Sequence, residues 1–380
     1  MFFGISQKLR KVLKAGFLIL LFVSAFAFGI LGSYLFLRTS DIFVKQTSIP
    51  EESPKTFAEP STSDSITILL LGYGGAGHDG GSLSDVIMVA HINPKEKKVS
   101  LISIPRDLWV EIPIRSDISQ SFKINHAYAI GLNDRNYPLK EPKYKGEGGG
   151  GVMTKEVIGE ITGLRIDYFI AMDFDGFKKI IDTLGGVKVG VPVTFDDNFY
   201  PIAGRENDTC GKSADEIAEL HQKYSDTELH HQFDCRYEHI HFDKGSAEMT
   251  GEEALKFVRS RASAQHGGDF ARSERQQALL LGLKDKFISL NALKNLDKLF
   301  NQFVGMVRTD LNLETTKKVI EMNGKPEDYK VSFINLTDQN VLVATKSFDG
   351  QFILIPKEGE GVYNGLQNFI GSELTKTSDH

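Results

Sequence analysis

Two apolar runs that lie close together in the chain constrain its fold more than any other feature. Residues 86–92 and 99–104 are rich in Val, Ile and Leu, and only a short polar segment separates them. This pattern predicts two adjacent buried strands joined by a tight turn. Asp85 precedes the first run, and Arg106 and Asp107 follow the second. A charge beside a buried strand is unfavourable unless it binds something, so these three residues are candidates for a site.

Each of these charges has a functional and a structural interpretation. Asp85 either binds a hard cation such as Mg²⁺, which carboxylate oxygens suit, or caps its strand. Arg106 and Asp107 either form a local ion pair or direct a guanidinium into a cleft. Lys123 adds a further cation or lies at an exposed helix start. The residues alone leave these alternatives open.

A second charged group lies far downstream. Arg259 and Arg261 are two residues apart near a predicted helix end, so they converge only if the helix unwinds there. The small, polar segment 262–268 that follows favours unwinding. Arg272 and Gln276 are one turn apart at the start of the next helix, whose N–H groups also attract anions. Together these groups can surround a pyrophosphate with bidentate contacts, or they form a solvated basic patch.

The N-terminal region predicts a membrane anchor. Residues 15–37 contain no charge, and 23 helical residues span about 34 Å, enough for a hydrocarbon core of about 30 Å. Basic residues precede this run, so residues 1–14 are predicted in the cytoplasm and the rest outside. A cleaved signal peptide ending near residue 27 is the alternative, but the apolar run continues beyond it. Residues 38–64, rich in Ser, Thr, Pro and Glu, are predicted to be an extracytoplasmic linker.

Residues 65–380 are predicted to form one domain. Strands and helices alternate along it, which predicts an α/β fold with three α/β/α layers around a central mixed sheet. Residues 196–245 are polar and aperiodic and resemble an insertion, and residues 111–151 are predicted to be mostly loop, with a short helix near 124–130. Longer helices are predicted over about 152–162, 175–184, 250–261, 270–290, 292–306, 313–322 and 362–374.

Charge and glycine content exclude two classes of partner. The net charge is −6, and the four bases before residue 15 make the remaining chain still more acidic, which argues against nucleic acid. Residues 72–77 fit G-x-G-x-x-G, but the next strand follows too soon for the crossover that a dinucleotide-binding unit needs. This glycine-rich loop is instead interpreted as a loop beside a site or a surface turn. Asp79 within it is a candidate second metal ligand or a turn residue.

Both cysteines lie in the polar insertion. Cys210 and Cys235 share it with five of the ten histidines. Outside the membrane the natural state of such a pair is a disulfide. Zinc is the alternative, although no ligand pair has the tight spacing that is typical of structural zinc sites.

Six segments together resemble the LytR-CpsA-Psr family of cell-envelope proteins. The resemblance runs from about residue 66 to the C-terminus, and the order and spacing of the segments make it specific. It is carried by LLLG (69–72), SDVIMVAHINPKEKKVSLISIPRD (84–107), KINHAY (123–128), IDYFIAMDFDGFKKIIDTLGGVKV (166–189), TGEEALKFVRSR (250–261) and GDFARSERQQ (268–277).

The resemblance implies a phosphotransferase of the cell membrane that moves a glycopolymer from a polyprenyl-pyrophosphate carrier to peptidoglycan. It implies Mg²⁺ bound through Asp85. It also implies that Arg106, Arg259, Arg261 and Arg272 hold the phosphates, that Lys123 and Gln276 are further substrate-binding positions, and that Asp269 is the acid ahead of Arg272. Asp269 and Asp107 are the candidate bases.

The chain departs from the family pattern beside Asp85. Leu83 stands where many members have an arginine, and the glycine-rich loop stands where they have an aspartate, so Asp79 is the candidate substitute. Two other functions therefore remain as alternatives. One is a non-catalytic regulator that binds polyprenyl phosphate. The other is a lipid pyrophosphatase, in which water replaces the acceptor hydroxyl.

Overall fold

The structure is a computed structural model that describes residues 65–78, 80–289, 307–311 and 329–376. The predicted cytoplasmic tail, membrane helix and linker lie outside these residues, as do Asp79 and the predicted helices over 292–306 and 313–322. Among the described residues, no helix combines the length and apolar character that crossing a membrane requires.

The described chain alternates between strands and helices, as the sequence predicts. The strands are β1 (Ile66–Tyr73), β2 (Ser84–Asn93), β3 (Lys98–Ser103), β4 (Trp109–Arg115), β5 (Ile118–Lys123), β6 (Tyr168–Asp173), β7 (Val187–Val191), β8 (Phe195–Pro201), β9 (Tyr237–Phe242), β10 (Gly245–Met249), β11 (Val307–Thr309), β12 (Lys330–Asn335), β13 (Leu342–Lys346) and β14 (Phe352–Pro356). The α-helices are α1 (His126–Leu132), α2 (Gly149–Thr162), α3 (Phe174–Thr183), α4 (Ala214–Lys223), α5 (Asp226–His230), α6 (Gly251–Arg259), α7 (Gly268–Ser289) and α8 (Asn364–Thr375).

A mixed sheet forms the centre of the domain. Among the described residues it has six strands in the order β11-β6-β1-β2-β3-β12. β1 pairs in parallel with β6 and antiparallel with β2, and β3 pairs in parallel with β12. The middle of β1 is buried on both faces, which explains why its sequence is a continuous apolar run rather than an alternating one.

Helices cover both faces of this sheet. Because successive side chains of a strand point to opposite faces, Ile68 and Leu70 pack into one core with α3, α6 and α7. Leu69 and Leu71 pack into a second core with α1, α2 and α8. The predicted layered α/β architecture around a mixed sheet is therefore present, and the first core is the one that adjoins the candidate site.

The prediction of mostly loop over residues 111–151 is wrong in its first part. β4 and β5 pair antiparallel there, from Trp109 opposite Lys123 to Arg115 opposite Ile118. The sequence conceals this hairpin because Pro113 interrupts β4, and because β5 buries none of its residues and so lacks an apolar pattern. The short helix is present, over His126–Leu132.

The polar insertion has more structure than its composition predicts. β8 and β9 form an antiparallel hairpin that enters the domain, and the Phe195 ring packs near those of Phe242 and Phe257. Cys210 and Cys235 are joined as a disulfide, with Cα atoms 5.6 Å apart, which excludes them as thiolate ligands for zinc. The insertion therefore combines a packed hairpin with an exposed, cross-linked outer part.

Candidate functional site

Asp85 occupies a β-bulge. Gly72 pairs with Val86, but the next residue, Tyr73, pairs with Ser84, so Asp85 is the extra residue of β2. A bulge redirects the side chain that it carries and is frequent beside active sites. A Cβ on Gly72 would lie 3.2 Å from the Val86 Cβ, so a residue without a side chain allows this close strand contact.

Arg106 is held against Asp85 by the end of the neighbouring strand. Its Nη1 donates to Asp85 Oδ1, and its Nε lies 3.6 Å from Asp107 Oδ2. Lys123 Nζ donates to the other oxygen of Asp107 at 2.7 Å. The predicted local ion pair and the predicted guanidinium in a cleft are thus both present. Asp107 holds Arg106 and Lys123 together, an arrangement that suits a positioning carboxylate better than a base.

The helix carrying Arg259 unwinds where the sequence predicts. α6 ends at Arg259, and Ser260 has non-helical backbone angles. The Arg259 guanidinium lies over the Phe174 ring, 4.4 Å from its centroid, and Nη1 donates to Tyr200 Oη at 3.3 Å. Burial raises the pKa of the Tyr200 hydroxyl, although Arg259 opposes that shift. Because the helix ends before Arg261, the direction of this side chain is not set by the helix.

A buried carboxylate that sequence reasoning missed fixes this turn. Asp197 Oδ2 accepts hydrogen bonds from Ser260 Oγ at 2.7 Å, from the Arg261 backbone N–H at 3.2 Å and from the Ala262 N–H at 3.1 Å. The side chain of Asp197 is almost fully buried. The Asp197 carboxylate therefore fixes the backbone path on both sides of Arg261.

The fully buried Arg275 supports the same turn from α7. It donates to the backbone carbonyls of Ser260 and His266, and its guanidinium lies 4.7 Å from the centroid of the Phe195 ring. Burial lowers the pKa of Arg275 to about 10, which still leaves it charged near neutral pH. Neither Arg275 nor Asp197 was predicted, because their partners are distant in sequence or belong to the backbone.

Arg272 and Gln276 share one face of α7, as their spacing predicts. The helix begins at Gly268, two residues before the predicted start, so Arg272 lies beyond the first turn. The first N–H groups of the helix therefore lie about one turn before Arg272. Asp269 is in the first turn of α7, and its side chain lies outside what the structure describes.

The predicted arginines meet around one cavity of about 260 Å³. Its polar end is formed by Asp85, Arg106, Arg259, Arg261, Arg272 and Gln276. We call the whole cavity, including these polar residues, the apolar cavity. It lies between the sheet and helices α3, α6 and α7. Its apolar lining includes Leu70, Met88, Met172, Phe177, Val258, Leu279, Leu280 and Leu283. Four arginines thus line a cavity whose remaining lining is mostly apolar.

A second cavity, of about 270 Å³, borders the first, and the two have polar lining residues in common. The two share Asp85, Val86, Arg106, Arg272 and Gln276. Asp107 lines the second cavity, whereas Lys123 is not among the described residues that line either one. The interpretation of Lys123 that fits this position is that it supports Asp107 and, through it, Arg106.

Three carboxylates line the apolar cavity; two of them hold backbone turns, and the third, Asp85, is paired with Arg106. Asp197 holds the turn after α6, and Asp173 Oδ1 accepts from the Gly176 N–H at 2.7 Å as the N-cap of α3. Asp85 is the remaining carboxylate, and it lies among the groups that suit phosphate. Within the described part of the chain, the close group of Asp208, Cys210 and Cys235 offers no alternative metal site, since its cysteines are oxidised.

Known proteins resemble this chain over most of its length. A family model described as the LytR_cpsA_psr family matches residues 34–357. The polyisoprenyl-teichoic acid–peptidoglycan teichoic acid transferase TagU of Enterococcus faecalis is 24% identical over 307 residues, 80% of each chain. The Bacillus anthracis protein of the same name is 29% identical over 316 residues, 83% of this chain and 77% of its own. The crystal structure of B. subtilis TagV shares the fold, with a TM-score of 0.54 at 23% identity over 82% of this chain and 96% of its own.

Proposed function

The chain belongs to the LytR_cpsA_psr family, and from this premise we propose that it is a phosphotransferase of the cell wall. It moves a glycopolymer from a polyprenyl-pyrophosphate carrier to peptidoglycan or another cell-wall acceptor. The observation that carries the proposal is that Arg106, Arg259, Arg261 and Arg272, which come from three distant segments, all line one largely apolar cavity. The names of the two TagU relatives support teichoic acid as the class of polymer.

The reaction needs no energy source beyond the donor. The oxygen of an acceptor hydroxyl forms a bond to the phosphorus that carries the glycan, and the bond from that phosphorus to the bridging oxygen breaks. The bridging oxygen keeps the electron pair and leaves as polyprenyl phosphate, while the hydroxyl proton passes to water. The products are a glycan–acceptor phosphodiester and the lipid monophosphate.

The arginines perform most of the chemistry that such a transfer requires. Phosphoryl transfer depends mainly on positioning and charge stabilisation rather than on covalent help from the enzyme. A guanidinium fork binds two phosphate oxygens at once and stays charged at any physiological pH. Arg259 and Arg261 are held by the turn at Ser260, and Arg106 is held by Asp85 and Asp107. These supports keep the cations in place before the substrate binds.

The apolar part of the cavity suits the polyprenyl chain. Its lining comes from the sheet and from α3, α6 and α7, and most of it is aliphatic. Each CH₂ group that leaves water contributes about 0.8 kcal/mol. A few isoprene units inside the cavity therefore contribute as much to binding as a well-formed ion pair, and they orient the pyrophosphate towards the arginines.

Asp85 fits a divalent cation that is bound jointly with the donor. Mg²⁺ is commonly held by one or two carboxylates together with substrate phosphates, and Asp85 lines the same polar end as the arginines. When bound there, Mg²⁺ neutralises charge on the phosphate oxygens. The contribution of the protein is the placement of the Asp85 carboxylate by its bulge and by Arg106.

We place the described domain outside the cytoplasmic membrane, anchored by residues 15–37. A polyprenyl carrier is a membrane lipid and peptidoglycan is extracytoplasmic, so an anchored outer domain can reach both. The apolar run and the bases before it support this single-pass topology, with the N-terminus in the cytoplasm.

The proposal is tested with the full-length chain in detergent micelles. It is incubated with a polyprenyl-pyrophosphate-linked glycan, Mg²⁺ and peptidoglycan, and polyprenyl phosphate and peptidoglycan-bound glycan are quantified. We expect Arg272→Lys to lower the transfer rate on the order of 100-fold, because a lysine cannot form the bidentate contact. Arg115→Lys is the control, since Arg115 is ion-paired with Asp117 on the β4–β5 hairpin, away from both cavities.

Two other results would replace the proposal. Release of polyprenyl phosphate at the same rate without any acceptor would indicate a lipid pyrophosphatase. Binding of the lipid with no release, at any Mg²⁺ concentration, would indicate a regulator that detects envelope precursors, a function that the loss of arginine at Leu83 would then explain.

A further inference from the structure

The second cavity has no role in the function proposed above, although it shares a wall with the arginine site. Beyond that wall it is lined by α7, by the end of β12 with the loop that follows, and by β14. The residues that line this cavity and not the first include Phe270, Ser273, Thr337, Asp338, Gln339 and Phe352.

Hydrogen bonds fix the shape of this cavity. The Asn340 side chain accepts from the Thr337 N–H at 2.8 Å and donates to the Asn335 carbonyl at 2.7 Å, which closes the loop after β12. Gln277 Nε2 donates to Asn335 Oδ1 at 2.8 Å and thereby ties this loop to α7. The Leu354 N–H donates to the Asp107 carbonyl at 3.0 Å, so β14 is attached to the segment that carries Arg106.

The lining chemistry suits a sugar rather than a second anion. Phe270 and Phe352 are each 54% exposed, and exposed aromatic faces can stack on the C–H face of a pyranose. Hydroxyl, amide and carboxylate groups of Thr337, Gln339 and Asp338 can hydrogen-bond to sugar hydroxyls. Apart from the shared Arg106 and Arg272, the described residues that line this cavity include no basic side chain. A phosphate-rich polymer would meet the carboxylates of Asp107 and Asp338 there, and the only basic side chains among the described lining residues are the two arginines shared with the donor site.

The direction of approach also distinguishes the two substrates. In phosphoryl transfer the attacking and leaving oxygens lie roughly in line on opposite sides of the phosphorus. The leaving lipid phosphate occupies the apolar cavity, and the shared wall binds the pyrophosphate, if the proposed function holds. The attacking hydroxyl then approaches from the side away from the lipid phosphate, and the second cavity borders the same shared residues without being part of the apolar cavity.

We propose that the second cavity binds the acceptor, a sugar unit of the peptidoglycan glycan chain that presents the attacking hydroxyl. Phe352 and Phe270 stack on the sugar ring, and the loop from Thr337 to Gln339 binds its hydroxyl groups. This assignment rests on the proposed function, because it takes its direction from the position of the donor.

The kinetic test compares two phenylalanines of the β13–β14 hairpin. Phe352→Ala removes a stacking surface of the second cavity, whereas Phe348→Ala changes a 96% exposed residue that lines neither cavity. The full-length chain in micelles is assayed with soluble peptidoglycan glycan oligosaccharides at varied concentration and with donor at saturation. We expect Phe352→Ala to raise the acceptor KM about tenfold, with the donor KM within twofold of wild type. Gln339→Ala should shift the acceptor KM in the same direction, and Phe348→Ala should not shift it.

A binding measurement separates failure of this assignment from failure of the proposed function. Calorimetric titration of the full-length chain with the same oligosaccharides, without donor, needs no turnover. Weaker binding by Phe352→Ala and Gln339→Ala than by Phe348→Ala supports the assignment even if the wild-type chain transfers nothing. If transfer occurs but neither variant changes the acceptor KM or oligosaccharide binding, the assignment is wrong and the proposed function stands.

Discussion

Asp197 is the residue whose replacement tests the arginine turn most directly. Its carboxylate accepts three hydrogen bonds around Arg261, and bonds to a buried charged group contribute about 2 kcal/mol each. We expect Asp197→Asn to lower the transfer rate about tenfold or more, because the turn loses the geometry that aims Arg259 and Arg261. The adjacent Asp196 is the control, since its carboxylate instead binds His239 and His241 at the surface. Equal rates for Asp197→Asn and Asp196→Asn would contradict the positioning role.

His91 and His241 should change the stability of the fold in opposite directions when the pH is lowered. Partial burial on β2 lowers the pKa of His91, whose Nδ1 lies 3.0 Å from Thr67 Oγ1. Below about pH 6.5 the unfolded chain therefore binds the proton more readily, and the folded state loses stability by at most about 1.4 kcal/mol per pH unit. Between pH 7.5 and 5, wild type should lose more stability than His91→Asn in urea titrations.

The surface histidine supplies the control for this measurement. Asp196 and Asp243 raise the pKa of His241, so its ion pairs are complete below pH 6.5 and are lost as the pH rises through the folded pKa. Acidification should therefore favour wild type over His241→Asn. The same pH trend in both variants would show that neither histidine determines the slope.

Whether a site residue could be identified from the sequence depends on how far along the chain its partners lie. Asp85, Arg106 and Arg272, which the sequence assigns to one site because each belongs to a recognisable segment of the family pattern, line the same cavity. Asp197 was missed because its partner, Ser260, is 63 residues away and its own segment has no periodicity. Lys123 was identified as charged and relevant, but only the folded structure reveals that it contacts Asp107.

Helix α6 illustrates an element whose start was predictable. The Thr250 Oγ1 accepts from the Glu253 N–H, and the Glu253 carboxylate accepts from the Thr250 N–H at 2.8 Å, which together form a capping box at the start of the helix predicted over about 250–261. Thr250→Ala should lower the free energy of unfolding by about 1 kcal/mol in urea denaturation. Ser213→Ala removes the same motif from α4, which buries none of its residues, so its effect on global unfolding should be smaller. Equal losses would mean that α4 is part of the cooperative unit.

Strands that are buried on both faces and helices with one apolar face could be predicted from the sequence. Exposed strands outside the central sheet could not. β2 and β3 are apolar runs within the sheet, and their bounds differ by at most two residues from those predicted. β4 and β5 form a separate two-stranded ribbon in which Pro113 interrupts β4 and β5 buries no residue, so neither strand has a clear apolar pattern. β11 has only three residues, which is too short for a pattern. The β8–β9 hairpin was hidden by the polar composition of the insertion around it.

At the scale of the whole molecule, the apolar cavity is a gap in one of the two hydrophobic cores. Leu70, Met88 and Met172 belong both to the core on the α3, α6 and α7 face and to the cavity lining. The opposite face of the sheet has its own core with α1, α2 and α8, which keeps the sheet rigid from behind. The fold can therefore hold an apolar ligand inside one layer without depending on that layer alone for its stability.

A lipid that binds in the apolar cavity should stabilise the whole domain, which gives a test of where the lipid binds. Leu280 lines the apolar cavity, whereas its neighbour Leu281 is 36% exposed and lines neither cavity. A ligand that binds only the folded state raises the free energy of unfolding by about 2.7 kcal/mol at 100 times its Kd. Polyprenyl phosphate should stabilise wild type and Leu281→Phe in this way. Leu280→Phe should bind it about tenfold more weakly, because the larger ring displaces about two CH₂ groups of the ligand. Thermal melts at several ligand concentrations measure the difference, and equal stabilisation of Leu280→Phe and Leu281→Phe would place the lipid elsewhere.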